Sequence, residues 1–124
     1  MPVITEPSTW THELHDVRFR SLATPANGTR ENSIWKVCFA PGATSAPHSV
    51  TREEIFIVLS GELSVDCEGR TQSAKSGDAI VIPPNAPFSL TVLGPGSAEL
   101  MCCLPVGGQA RLADGQLITP PWAQ

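Results

Sequence analysis

The sequence predicts an all-β protein, a sandwich or barrel of short strands. Three observations carry that expectation. Apolar and polar residues alternate over short runs, as in Val17–Arg20, Leu63–Cys67 and Phe88–Leu93. Turn signals separate those runs, among them Asn27-Gly28, Pro41-Gly42, Ser60-Gly61, Glu68-Gly69, Ser76-Gly77-Asp78 and Gly94-Pro95-Gly96. No segment carries a convincing helical period.

Residues 1–15 hold Pro2, Pro7, Trp10, His12 and His15 without periodicity, so an extended arm is expected, with Trp10 as its anchor. A strand begins near Asp16, where Val17 and Phe19 alternate with Arg18 and Arg20. Pro25 and Asn27-Gly28 then make a loop. From Ser33 to Ala40 a second strand puts Ile34, Lys36 and Cys38 on one face and Trp35, Val37 and Phe39 on the other. Thr51 to Glu54 fits the capping box of a helix start. The run after it, Ile55 to Leu59, is short, rich in β-branched residues and closed by Ser60-Gly61, so a strand is preferred.

Further strands are expected over Leu63–Cys67, Thr71–Ala74, Ala79–Ile82, Phe88–Leu93 and Ala98–Leu104. Pro83-Pro84-Asn85-Ala86-Pro87 is a rigid bend between two of them. Asp114-Gly115 marks a hairpin, and Thr119 to Trp122 an extended tail with an aromatic anchor. The expected organisation is an arm over 1–15, a barrel over 16–105, and a hairpin and tail over 106–124 that pack on the barrel or on a dimer partner.

At 124 residues the chain is one domain with room for a core. A net charge of −4 and the absence of any Lys/Arg run argue against nucleic acid and against an anionic membrane surface. The start lacks the basic and apolar regions of a signal peptide, and no apolar stretch approaches a membrane span, so a cytoplasmic location is expected. The four cysteines form no C-x-x-C pair and read as small buried hydrophobes rather than disulfides.

The chemistry concentrates between Gly42 and Gly61. His48 follows Gly42 after five residues, Glu54 lies six positions beyond His48, and Gly61 closes the run. Downstream, Gly77 is followed by Pro83, Asn85 and Phe88. These two stretches resemble the paired motifs of the cupin superfamily. The first motif is a glycine, five residues, His-x-His, three or four residues, Glu, six residues and a glycine. The second is a glycine, five residues, Pro-x-Gly, two residues and a histidine. Gly42, His48, Glu54 and Gly61 match the first, and Gly77 and Pro83 match the second. The resemblance implies a small single-domain cupin, a double-stranded β-helix or jelly-roll barrel with its site inside, and a homodimer.

In metal-binding members both histidines and the glutamate of the first motif join the second-motif histidine around an ion. Here Val50 and Phe88 stand at two of those four positions, and Asn85 stands for the glycine. Two protein ligands hold a divalent ion weakly. No cofactor is therefore expected. If a transition metal does bind, His48 and Glu54 are its ligands, completed by His12, His15, Cys102 or Cys103.

Alternation places His48 with Val50 on one face, Glu54 with Phe56 and Val58 on another, and Phe88 with Leu90 and Val92 on a third. A mainly apolar ligand pocket is expected from Val50, Phe56, Phe88, Leu90, Cys38 and Cys102. Its polar groups are His48 and Glu54, an acid/base pair if catalytic and a buried hydrogen-bonded pair if structural. A carboxyl in such surroundings has its pKa raised. Glu53 falls on the opposite face, and only one of Cys102 and Cys103 can point inward.

The expected function is binding of a compact organic molecule, with metal-independent proton transfer of the isomerase, cyclase or epimerase type. Metal-free sugar epimerases and metal-dependent polyketide cyclases show that the family implies such chemistry. Two alternatives stay open, a non-catalytic binding or sensing module and a metal-dependent oxygenase or isomerase with an incomplete ligand set. Whether the chain is an enzyme does not follow from its residues.

Overall fold

The computed structural model describes residues 2–124. Alternation resolves into twelve strands: β1 His12–Leu14, β2 Val17–Ala23, β3 Asn32–Phe39, β4 Ser49–Val50, β5 Glu54–Ser60, β6 Glu62–Cys67, β7 Arg70–Lys75, β8 Ala79–Ile82, β9 Phe88–Leu93, β10 Ala98–Pro105, β11 Ala110–Arg111 and β12 Leu117–Ile118. Helical structure among the described residues is limited to single 3-10 turns at Pro25–Asn27 and Pro121–Ala123. None of it is long and apolar enough to cross a membrane.

One layer is a six-stranded antiparallel sheet in the order β1-β2-β3-β10-β5-β8. The facing layer is assembled from two smaller sheets, β7-β6-β9 and β12-β11-β4. Bridges between Thr44 and Thr91 and between His48 and Phe88 join them, so they run on as one surface. This is the jelly-roll arrangement, and the capping-box signal at Thr51 yields to β5.

Register fixes which face looks inward. Leu100 stands between Val37 and Val58, and Cys102 between Trp35 and Phe56. All six are buried between the layers. On the outer face Glu99 pairs with Cys38, Met101 with Lys36 and Ile57, and Cys103 with Ile34 and Ile55. Cys102 is thus inward and Cys103 outward, as a two-residue period requires.

The closing glycine of the motif has a steric reason. Gly61 sits at φ +81, and a Cβ there would lie 2.5 Å from the Ser97 carbonyl oxygen and 2.8 Å from the Ala98 Cα. Only glycine lets β5 turn into β6 beneath that backbone. At the second motif Asn85 adopts φ 64, the left-handed conformation that asparagine tolerates, and its N–H donates to the Val50 carbonyl at 2.7 Å.

The two ends of the chain both pack on its own barrel. Part of the expected arm is strand β1, which pairs with β2 from His12 opposite Phe19 to Leu14 opposite Val17. Three residues at an exposed edge carry too little periodicity to be read from sequence. Further out, Glu6 bonds Lys36 at 3.0 Å and Arg20 at 3.3 Å, and the Arg20 guanidinium lies 4.3 Å over the Trp10 ring.

At the other end, β11 and β12 form a hairpin whose connection runs from residue 112 to 116. There Asp114 accepts the Gln116 N–H at 2.9 Å. Trp122 stacks on Phe19 with ring centroids 3.7 Å apart, and the Ser21 and Ser33 hydroxyls donate to the carbonyls of Trp122 and Ala123 at 2.7 Å each. Phe19, Ser21 and Ser33 share the inward face of β2 and β3, so the tail fills the gap between the layers at that side.

Candidate functional site

Glu54 opens β5 on its inward face, paired with Ile82 of β8 and two residues from Phe56. It is 5% exposed, and no side-chain hydrogen bond contributes to its ionisation. Burial alone pushes its pKa up to about 8, because ionising a carboxyl in apolar surroundings forfeits hydration that nothing there replaces. Its neighbours report the same confinement. The Cys102 thiol is raised well above its ordinary range by burial first and then by the Glu54 charge. Cys103 is raised by the same two causes in the same order.

His48 occupies the facing layer, half-buried. Its backbone exchanges two hydrogen bonds with Phe88, 3.1 Å from the His48 N–H and 2.8 Å to its carbonyl. The ring Nδ1 lies 2.9 Å from the Ala46 carbonyl oxygen. A carbonyl only accepts, so Nδ1 carries the proton and Nε2 is the free nitrogen of the neutral ring.

The structure does not bring His48 and Glu54 into a hydrogen-bonded pair. Imidazole and carboxyl are held separately, with the Phe88 ring against both His48, at 4.5 Å between centroids, and Phe56, at 6.1 Å. Phe88 thus fills space where a polar residue would have faced the imidazole.

The other expected pocket residues divide. Val50, Phe56, Leu90 and Cys102 point inward but are closely packed, none more than 6% exposed. They are core as much as wall. Cys38 corrects the sequence reading: it shares the outer face with Lys36 and pairs with Arg18 and Glu99, so it cannot line the interior. Its thiol is raised by burial and then by Glu99. The rule that puts Trp35, Val37 and Phe39 inside puts Cys38 out. His15 is also remote, with its side chain 98% exposed beside Asp16.

Two clefts border this region. One, of about 360 Å³, lies at the barrel rim between Pro47, Pro87, Phe88 and the Asp66–Thr71 turn. The other, of about 320 Å³, opens between β7 and β8. Cys67 lines both, a half-buried thiol raised by burial and by Glu68. Sequence reasoning passed over Cys67, Gln72, Ile80 and Ile82 as cleft residues. The inward alternation of Leu63, Val65 and Cys67 was the available signal for Cys67, whereas the polar run of β7 gave none for Gln72.

The donor set does not fit a divalent metal. Among the described residues no group of three or more His, Cys, Asp or Glu side chains is arranged to hold an ion. Phe88 packs its ring against the one motif histidine.

Residues 35–104 match the family model described as a cupin domain. The chain is a cupin. A comparison with curated proteins finds no match. Among solved structures, this cupin is similar to the polyketide cyclase RemF from Streptomyces resistomycificus, with a TM-score of 0.72 and 21% identity over 96% of this chain and 84% of that one. KdgF from a Halomonas species gives a TM-score of 0.69 at 23% identity over 78% and 86%. A cupin-like protein from Thermotoga maritima gives 0.64 at 27% identity over 70% and 66%. At the first two identities the likeness speaks for the fold alone. It extends beyond the matched 35–104 to the ends of the cupin barrel.

Proposed function

We propose that this cupin binds a compact, mainly apolar organic molecule and transfers a proton on it without a metal, Glu54 being the proton-carrying group. One observation carries the reading: a carboxyl enclosed by hydrocarbon, with its pKa pushed up to about 8, holds its proton at neutral pH and donates it to a carbonyl or departing hydroxyl oxygen. His48, with Nδ1 engaged by Ala46, offers Nε2 as a base. Isomerisation, cyclisation and dehydration are the matching reaction types, and the likeness to a polyketide cyclase is consistent with the second.

The test is turnover and metal content on the purified protein. Turnover lost in Glu54→Gln with ligand binding retained supports the enzyme. A first-row metal near one ion per chain, lost on His48→Ala, would sink the metal-free reading. Close packing around Val50, Phe56 and Leu90 favours a second reading, a binding module without chemistry. Ligand binding unchanged by Glu54→Gln, with no turnover in any variant, would establish it.

A homodimer belongs to the same proposal. The outer face of the six-stranded sheet carries Ile34, Ile55, Ile57, Met101, Cys103 and Val81 in register, with Val81 56% and Ile57 38% exposed. An apolar sheet face of that extent is suited to a second copy. Sedimentation of the protein as a monomer at tens of micromolar would refute it, and Ile57→Arg is expected to split the dimer. A cytoplasmic location suits the four unpaired cysteines.

A further inference from the structure

The outer face of the six-stranded sheet divides into two halves. Over β10, β5 and β8 it carries Met101, Cys103, Ile55, Ile57 and Val81. Over β2 and β3 it carries Arg18, Arg20 and Lys36. The boundary falls inside one cross-strand row, in which Arg20 pairs with Lys36, Lys36 with Met101, and Met101 with Ile57. Two cations therefore stand directly beside the apolar half.

The N-terminal arm lies across the charged half. Trp10 covers the Arg20 guanidinium at 4.3 Å. Glu6 sits between the two cations. One of its carboxylate oxygens accepts from Lys36 at 3.0 Å and from Arg20 at 3.3 Å, and the other accepts from Lys36 at 3.3 Å. The Lys36 hydrogen bond above all holds the Glu6 carboxyl below its ordinary range. With the arm in place, Arg18, Arg20 and Lys36 meet Glu13, Glu6 and Glu99, and these six side chains carry no net charge.

Little else holds the arm. Among the described residues no main-chain hydrogen bond involves residues 2–10, and the nearest runs from the Thr11 N–H to the Phe19 carbonyl at 2.8 Å. Its tip is apolar, with Val3 75% and Ile4 38% exposed. From Trp10 over β2 to Glu6 over β3 the arm heads toward β10. An extended chain advances about 3.3 Å per residue and strands lie about 4.8 Å apart, so Val3 and Ile4 can reach the apolar half.

We propose, on the homodimer reading above, that the arm completes the surface on which a second copy of this cupin docks. Glu6 neutralises the cations that border the apolar half, and Val3 and Ile4 extend that half. The reason is desolvation. A partner seated on Met101 and Ile57 strips water from the Lys36 and Arg20 edge, where a cation without a counter-charge is costly to bury. An apolar centre inside a polar rim is how such interfaces are built. Charge selects a second copy as the occupant. In an isologous contact two identical faces meet, and faces without net charge do so without repulsion. Stripped of Glu6, each would bring unpaired positive charge to the other.

Sedimentation velocity of the intact protein over a dilution series tests the assignment. Glu6→Gln and Ile4→Ser are each expected to weaken the dimer about ten-fold, or about 1.4 kcal/mol. Both residues are exposed, so neither change disturbs the core. Added salt screens repulsion between bare cations, and it restores the Glu6→Gln dimer but not the Ile4→Ser dimer. Glu68→Gln changes the net charge equally from the opposite layer and leaves the dimer as it is.

Unchanged affinity in both arm variants would overturn the part played by the arm and leave the homodimer standing. An equal loss in Glu68→Gln would overturn the placement of Glu6 at the interface. A wild-type protein that stays monomeric at every concentration would overturn the homodimer and the role of the arm together.

Discussion

Replacing Glu54 by glutamine keeps the shape of the side chain and removes its ionisation. The folded protein holds the Glu54 proton to about pH 8, whereas an exposed carboxyl releases it near 4.5. Between those values the folded state binds a proton that the unfolded state has lost, so stability falls as pH rises. The contribution is fully present below about 4.5, declines through the neutral range and is gone above about 8. At about 1.4 kcal/mol per pH unit the whole loss is on the order of 5 kcal/mol, an upper figure because a loosened structure readmits water. Glu54→Gln has no such decline. Urea denaturation at half-unit steps from pH 5 to 8.5 is expected to give similar midpoints at pH 5 and a variant progressively more stable above it. The same four thiols are present in both proteins, so their ionisation largely cancels in the comparison. Parallel midpoints across the range would refute a neutral, buried carboxyl, and with it the proton-donor role.

Two further outcomes test the scaffold. Gly61→Ala meets both a left-handed backbone and the Ser97–Ala98 main chain and should cost roughly 3 kcal/mol or more. Gly42→Ala at φ +72, with open space around it, should cost about 1 kcal/mol; equal losses in chemical denaturation would contradict the steric account. Trp122→Ala removes a stacked ring from the tail and is expected to lower stability by about 2 kcal/mol. An unchanged Tm would mean that the tail does not hold the two layers together at that side.

Much of the fold was legible because alternation and turn residues are local. Ala79–Ile82 and Phe88–Leu93 begin and end where their apolar periods and flanking Gly and Pro residues place them. β1 and β4 were not legible as paired strands, since runs of two or three residues carry no period of their own and exist through their partners. β11 and β12, equally short, were legible only through the Asp114-Gly115 turn between them. The site was legible in part. Spacing identified Glu54 as an inward carboxyl, and period two identified Cys102. The same period, applied consistently, excludes Cys38. What spacing cannot convey is how strands from different layers meet. The separation of His48 from Glu54 and the clefts beside Cys67 both depend on that.

The adjacent thiols of Cys102 and Cys103 make the barrel its own gauge of opening. Cys103 is half-buried on the outer sheet face, while Cys102 is 1% exposed and shielded by both layers. An alkylating reagent should modify Cys103 in the native protein, more slowly wherever a second copy covers that face. Cys102 has to wait until β10 parts from its neighbours. The ratio of the two labelling rates measures how often the sheet comes apart, at a carboxyl's distance from the proposed chemistry and without any added probe.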